Sequence, residues 1–515
     1  MFNVDAQDYE LSRPMEYFDD FLSHDWRTSR WLKLMSMLII YNSRAALLAM
    51  CIASTALGIV RVYVESPEDP MQNLKVTLIA VVICHGVHLV FLCFWQRFRS
   101  LLLTPTFVFL DKLCIAQSPE LAERKAQGVL GLAAFLNHSR RLVVLWSPRY
   151  FQRLWCSYEI ATYLTASNEH KPLIVMPAHA GAILFVEYLG WAGISAAFWL
   201  SLFAIGTNIW GVMDLLPFAF GRVVIGGSLV AGVAVCVAVP LLAWEISLAR
   251  HVQHVQQQLL TFNMQETLCY CCSNQHRHPD SGEEIPCDRK LVYQKLREWH
   301  GQPDDVGEEY LSRFNTLVQR RLSSSILRSM SNFIPRRYTF YMIAATNLPW
   351  FSECVRRMIT EPRIVKEDND DVVVILRHFL EWGTISLVAL SGSWLSRFLA
   401  LHVGVRLARA LGSSICAAML VFPLCIPLVA AFLGSFYYLL IADSGLLCAI
   451  PFCLLLILLV CYSLSRPSLR PVESETTVKM ANKQATSDEE SSKNSHRFAI
   501  RSDANSPTST ASFSF

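Results

Sequence analysis

Residues 107–164 alternate between strand-like and helical patterning, yet they lie between segments apolar enough to cross a membrane. No other feature limits the fold as much. FVFL (107–110) suits a short buried strand, and residues 121–135 carry apolar side chains at helical spacing. RLVVLWS (141–147) is a second buried-strand run, closed by Ser147-Pro148, and 154–164 is helical again. Strand, helix, strand, helix predicts a parallel sheet with crossover helices.

A membrane-spanning helix needs about 20 apolar residues. Residues 45–64, 74–95, 183–210 and 223–248 meet that length. With 53% hydrophobic residues, 17% charged and a mean hydropathy of +0.33, the chain is too apolar for a soluble protein of 515 residues. The net charge of +3 gives no electrostatic footprint for nucleic acid. Arg27, Arg30, Lys33 and Arg44 precede the first apolar pair, Arg97 and Arg99 follow it, and Glu65, Glu68 and Asp69 mark its tip. The positive-inside rule then puts the N-terminus and residues 104–178 in the cytosol. The N-terminus lacks signal-peptide and transit character. The sixteen cysteines lie mostly in apolar runs or cytosolic stretches, so no disulfide framework is expected.

The last apolar block, 382–464, divides into 382–403, interrupted by Arg397, then 411–441, with Pro423 and Pro427, and 446–464. Hydropathy counts seven spans. Arg466 and Arg470 beyond the last one instead put the C-terminus inside, which fits six spans and an interfacial segment. Both counts remain open on sequence. Residues 467–515 are Ser/Thr-rich and polar and read as a disordered tail.

FLDK, a helix, and RLVVLWSPRYFQRLWCSYEIA together resemble a Toll/interleukin receptor (TIR) domain. The resemblance rests on Phe109, Asp111, Ser147, Tyr150, Trp155, Cys156 and Glu159. YFDDFLSHDW (17–26) fits that family's opening strand, and PLIVMP (172–177) its distal strand. The family's glycine-rich loop after the second strand is replaced here by CIAQSPELAE. The resemblance covers residues 14–34 and 104–178. It implies a flavodoxin-like parallel α/β sheet whose first strand is parted from the rest by a transmembrane hairpin. The fold class is therefore a membrane α-helical bundle plus a TIR-like α/β domain. The organisation reads as tail and first strand 1–34, inserted hairpin 35–99, remainder of the domain 104–178, second hairpin 181–248, cytosolic helical region 249–375, membrane block 382–464 and tail 467–515. As a whole the chain also resembles multi-pass proteins of unicellular algae, dinoflagellates in particular, which implies architecture and no activity.

Three function classes follow. TIR domains self-associate, which implies signalling or scaffolding at the lipid bilayer, with homo-oligomers as partners. Some TIR domains cleave NAD, and in them the Glu matching Glu159 is catalytic. A carboxylate there can hold the ribose hydroxyls and stabilise an oxocarbenium-like centre. Ser23, His24, Asp111, Ser147, Tyr150 and Trp155 would then line the substrate site, at the strand ends where α/β sheets bind ligands. The third class is a channel or transporter with a cytosolic sensor. Glu187 and Glu245 are either interfacial carboxylates or an ion or substrate site. The apolar segments show no P-loop, selectivity filter, voltage sensor or paired buried charges.

Residues 249–375 hold one further chemical signal. Cys269, Cys271, Cys272, His276, His278 and Cys287 crowd a short cytosolic stretch. Structural zinc, acylation of Cys271 and Cys272, and unmodified thiols are all compatible with it. After it, Asp288 is placed to cap a helix over 289–300, ended by Gly301. Leu311, Phe314, Leu317, Val318, Leu322 and Leu327 with Arg313, Arg320, Arg321 and Arg328 form a basic amphipathic helix, suited to the leaflet or to packing on the domain.

Overall fold

The computed structural model describes residues 12–65, 70–115, 127–128, 131–166, 171–207, 220–277, 282–322, 326, 330, 333–364, 371–426 and 449–464. The expected helix over 121–135 falls partly outside them, and the tail 467–515 wholly so.

Four parallel strands form one sheet: β1 (Phe18–His24), β2 (Val108–Leu110), β3 (Ser139–Trp146) and β4 (Leu173–Pro177), in the order β2-β1-β3-β4. β1 pairs with β2 through Phe21↔Phe109 and with β3 through Leu22↔Val143, and β3 pairs with β4 through Val144↔Val175. The strands that sequence placed at 17–26, 107–110, 141–147 and 172–177 are thus present, and the first does join the others across the intervening apolar pair. Leu142, Val143, Val144 and Leu145 are all fully buried, as expected of a sheet covered on both faces. Phe21 stacks on Phe109 and Phe109 on Phe135, each at 4.7 Å between centroids, and these rings fix one face of the core.

The helices that cover this sheet are the near ends of long apolar helices. α1 (Arg30–Val64) starts just past the C-terminal end of β1. At about 1.5 Å per residue it is about 50 Å long, against about 20 Å for a strand. Its first turns lie along the sheet and the rest project beyond the sheet's N-terminal edge. α2 (Pro70–Leu102) returns beside it. Asn42 donates to the Leu92 carbonyl at 2.7 Å, Gln96 donates to Asn42 at 2.9 Å, and Arg99 donates to Thr106 at 2.5 Å, just before β2. α3 (Leu154–Ala166) follows β3. α4 (Ala178–Thr207) leaves the end of β4 directly, and Ser36 donates to the Ala178 carbonyl at 3.0 Å. A Cβ on Gly181 would strike the Ser36 backbone, so only glycine lets α4 approach α1 this closely. α5 (Phe220–Leu260) comes back past the sheet until Gln258 donates to the Pro148 carbonyl at 3.0 Å. The bundle therefore lies beyond the N-terminal edge of the sheet, and the C-terminal edge faces away from it.

Among the described residues, five helices are long and apolar enough to cross a membrane: 30–64, 71–102, 178–197, 232–260 and 375–411. By length and composition this is a multi-pass membrane protein. Two further helices accompany them from a stretch expected to be cytosolic. α8 (Arg336–Ala345) and α9 (Leu348–Ile364) form a broken pair alongside α1, after the soluble α6 (Asp288–His300) and α7 (Glu309–Leu317). Ser54 donates to the Leu348 carbonyl at 2.5 Å and Arg61 donates to Ser352 at 3.0 Å, so α9 runs in the same direction as α1. α10 (Asp371–Leu399) runs against α8 and α9: Cys354 meets the His378 carbonyl at 3.4 Å, Trp382 donates to the Asn347 carbonyl at 2.8 Å, and Arg397 donates to Thr339 at 2.7 Å. The short α11 (Val405–Leu411) and α12 (Ser414–Val421) follow. α13 (Ala449–Leu464) is parallel to α10, with Phe452 against Gly383 and Leu459 clustered with Leu390.

Paired buried charges, which the sequence reading did not find, are present at two levels of this bundle. In the last turn of α1, Arg61 is 2% exposed and contacts Glu65 and Glu353, each at 2.5 Å. Nearer the sheet, Arg397 of α10 contacts Glu187 of α4 and lies 3.4 Å from Glu245 of α5. Glu187, Glu245 and Arg397 each sit alone in their own apolar runs, and Glu187 and Arg397 are 210 residues apart, so their pairing was invisible to local patterning.

Candidate functional site

The strand order reverses between β1 and β3, and the crevice outside their C-terminal ends is where such sheets bind ligands. Ser23 ends β1 at that point, Tyr150 lies in the turn after β3, and Glu159 is in the second turn of α3. Ser23 Oγ is 2.5 Å from Tyr150 OH and donates to Glu159 Oε2 at 2.5 Å. Tyr150 and Ser23 thus form a hydroxyl chain that ends on the carboxyl. Glu159 is 4% exposed and Tyr150 0%, so the carboxyl is sealed beneath the edge. Burial raises Glu159 well above the ordinary carboxylic range, the Asp111 charge adds to the rise, and the Ser23 hydrogen bond opposes it. Burial likewise raises Tyr150 and Cys156, so both stay neutral.

The other residues singled out for this edge are arranged around that core. Asp111 accepts from Trp26 Nε1 at 2.8 Å. Ser147 donates to Asp25 Oδ2 at 3.4 Å, and Asp25, fully buried, also faces Arg149 at 3.6 Å and Arg153 at 3.7 Å. The His24 carbonyl receives Cys156 Sγ at 3.5 Å. Trp155 turns elsewhere: its Nε1 donates to Asp288 at 3.2 Å, on the segment that follows α5. That segment clamps the edge from outside. Leu154 N donates to the Leu268 carbonyl at 3.1 Å and Leu268 N to the Gln152 carbonyl at 2.6 Å.

Cys271, Cys272, His276 and Cys287 form a second constellation there, with ligand atoms all within 4.8 Å of one another. This cluster can hold a metal such as zinc. Tetrahedral zinc with Zn–S bonds of about 2.3 Å needs sulfurs about 3.8 Å apart. Cys272 and Cys287 are separated by 3.8 Å and Cys271 and Cys272 by 4.0 Å. Asp288 N donates to Cys271 Sγ at 3.3 Å, which steadies a thiolate ligand from behind. Gln275 and His276 adopt φ of 53° and 59°, a left-handed pair of non-glycine residues that turns the histidine back over Cys271. His276 Nδ1 is buried without a hydrogen-bond partner, as a metal-binding nitrogen would be. Cys269 lies outside this set, 3.1 Å from Cys271, and His278 falls outside the described residues. Asp288 begins α6 but does not cap it: Cys287 occupies the N-cap, and the carboxylate serves Trp155.

The basic amphipathic segment packs on the domain. Leu311, Phe314 and Val318 are at most 1% exposed. No family model, curated protein or solved structure matches this chain.

Proposed function

We propose that this is a multi-pass membrane protein carrying a TIR-like domain on its cytosolic side, and that it acts in signalling or scaffolding at the membrane through self-association. One observation carries this reading. α1, α4 and α5 each cover the sheet at one end and enter the bundle at the other, so domain and bundle form a single mechanical unit. The order β2-β1-β3-β4 is that of the first four strands of a flavodoxin-like sheet, which supports the TIR-like assignment. The edge distal to the membrane exposes Trp26 (45%) and Trp31 (59%), and we assign self-association to that rim.

The hydrogen-bonded closure over Glu159 weighs against NAD hydrolysis. A glycohydrolase needs its carboxylate at the sugar, whereas here Ser23, backed by Tyr150, occupies its oxygen. Zinc at Cys271, Cys272, His276 and Cys287 would use four protein ligands and leave no open position, which suits a structural metal holding the outer clamp in place.

Among the described residues, the topology we assign has seven crossings: α1, α2, α4, α5, the α8–α9 pair, α10 and α13. α8 and α9 supply one that hydropathy does not register, because Arg61, Ser54 and Trp382 satisfy its polar groups from within. α10 returns toward the sheet, and α13, parallel to α10, runs the same way. α13 therefore ends on the side of the sheet, which accounts for Arg466 and Arg470 just beyond it. The test is the mass of full-length protein in lipid nanodiscs and in detergent. Dimers or larger that dissociate in W26A/W31A are expected; a monomer at all concentrations would refute self-association.

A further inference from the structure

The network at Glu187, Glu245 and Arg397 sits where the sheet meets the bundle. Glu187 is nine residues from the start of α4 and Glu245 thirteen before Gln258, about 14 and 20 Å from the distal sheet edge. Arg397 is 5% exposed, Glu187 2% and Glu245 0%. Arg397 donates to Glu187 and to Thr339 Oγ1, and Ser396 donates to Glu245 Oε2. Glu245 Oε1 has no hydrogen bond; the guanidinium Nε faces it at 3.4 Å and has none either.

Two carboxyls therefore share one guanidinium. Cys425 is the other titratable group turned toward Glu245. Tyr188, next to Glu187, contacts His85 and His88 of α2, and both His88 ring nitrogens are buried without hydrogen bonds; among the described residues Arg397 is the cation paired with Glu187 and Glu245. A net negative charge buried this deeply costs several kcal/mol unless it is neutralised. The close packing around Arg397 favours a neutralising group that needs no cavity.

We propose that the Glu187–Arg397–Glu245 network is a proton-binding site of the membrane bundle. One exchangeable proton is shared by the two carboxyls, and Arg397 pairs with whichever is ionised. The site lies between sheet and bundle and joins α4, α5, α8 and α10, so gain or loss of the proton alters how the two halves pack. This goes beyond anchoring and does not depend on the TIR-like assignment.

The test is infrared absorption by the carbonyl of protonated carboxyl groups, in full-length protein in detergent and in the E159Q background so that Glu159 does not contribute. A neutral-pH band worth one carboxyl is expected, and E245Q and E187Q should each abolish it, because the remaining carboxylate then takes the guanidinium alone. Addition of sodium at fixed pH should leave the band unchanged. Absence of the band, its survival in both variants, or its loss on sodium addition would overturn the proposal. E245Q is also a neutral isostere of the protonated form, so its failure to fold would count equally against it.

Discussion

Val355 fills the space beside Gly58 so closely that a Cβ on that glycine would lie 2.7 Å from the Val355 Cβ and 2.8 Å from the Ser352 carbonyl oxygen. This contact locks α9 along the distal half of α1, and the topology depends on it. Gly58→Leu should destabilise the protein by about 1–3 kcal/mol, as overpacking of a close helix contact does. A melting temperature equal to that of the wild type would show that the two helices do not pack this way.

The same packing predicts which side each connection occupies. A tag placed within 365–370 should be reached only from the side opposite the N-terminus, and a C-terminal tag from the same side as the N-terminus. Labelling in sealed vesicles before and after permeabilisation distinguishes these. Access to both tags from one side would exclude a crossing by α8 and α9.

Glu159 gives the fold a pH dependence of defined sign. Burial, then the charge of Asp111, raise its folded pKa above the unfolded value near 4.5, so the native state holds this proton more tightly than the unfolded chain does. The stability it contributes is complete below the unfolded pKa and is lost as pH rises through the folded one, by up to about 1.4 kcal/mol per pH unit. The melting temperature should fall as pH rises above the unfolded value near 4.5, and E159Q should flatten that slope. Identical slopes in the two proteins would mean that the carboxyl is not held neutral.

The cysteine–histidine cluster predicts about one zinc per chain in protein purified without chelators. C272S and C287S should each reduce the metal to near zero and lower the melting temperature, whereas C269S should retain it. Wild-type protein without stoichiometric metal, or metal retained in C287S, would rule out these ligands. The Trp155 environment should change on metal removal, since its partner Asp288 immediately follows Cys287.

Strand placement was legible in the sequence because runs such as RLVVLW are apolar on both faces and bounded by Ser and Pro, a pattern that is local. The crowding of Cys271, Cys272, His276 and Cys287 was legible for the same reason. The separate grouping of Cys269 with Cys271 and Asp288 was not, because Asp288 is 17 residues from Cys271 in the chain. α8 and α9 were hidden because Arg356, Arg357 and Glu353 lower their hydropathy. Those charges neutralise one another and Arg61 at the far end of the bundle, with Arg356 2.6 Å and Arg357 2.8 Å from Glu353. Arg397 looked like an interruption of a weak span for the same reason: its partners are on other helices. Trp155 shows the limit of motif reading. Its place before Cys156 and Glu159 suggested the crevice, but one position along a helix turns a side chain by about 100°, and that carries it to Asp288.

An interaction module with a closed carboxyl, as proposed for the sheet domain, should not turn over NAD. The direct measurement is NAD turnover by full-length protein in detergent, wild type beside Glu159→Ala, with both shown to be folded. The predicted result is no turnover by either. Turnover by the wild type that Glu159→Ala abolishes would contradict the account and make this a membrane-tethered NAD-cleaving enzyme whose Ser23–Tyr150 closure opens for substrate.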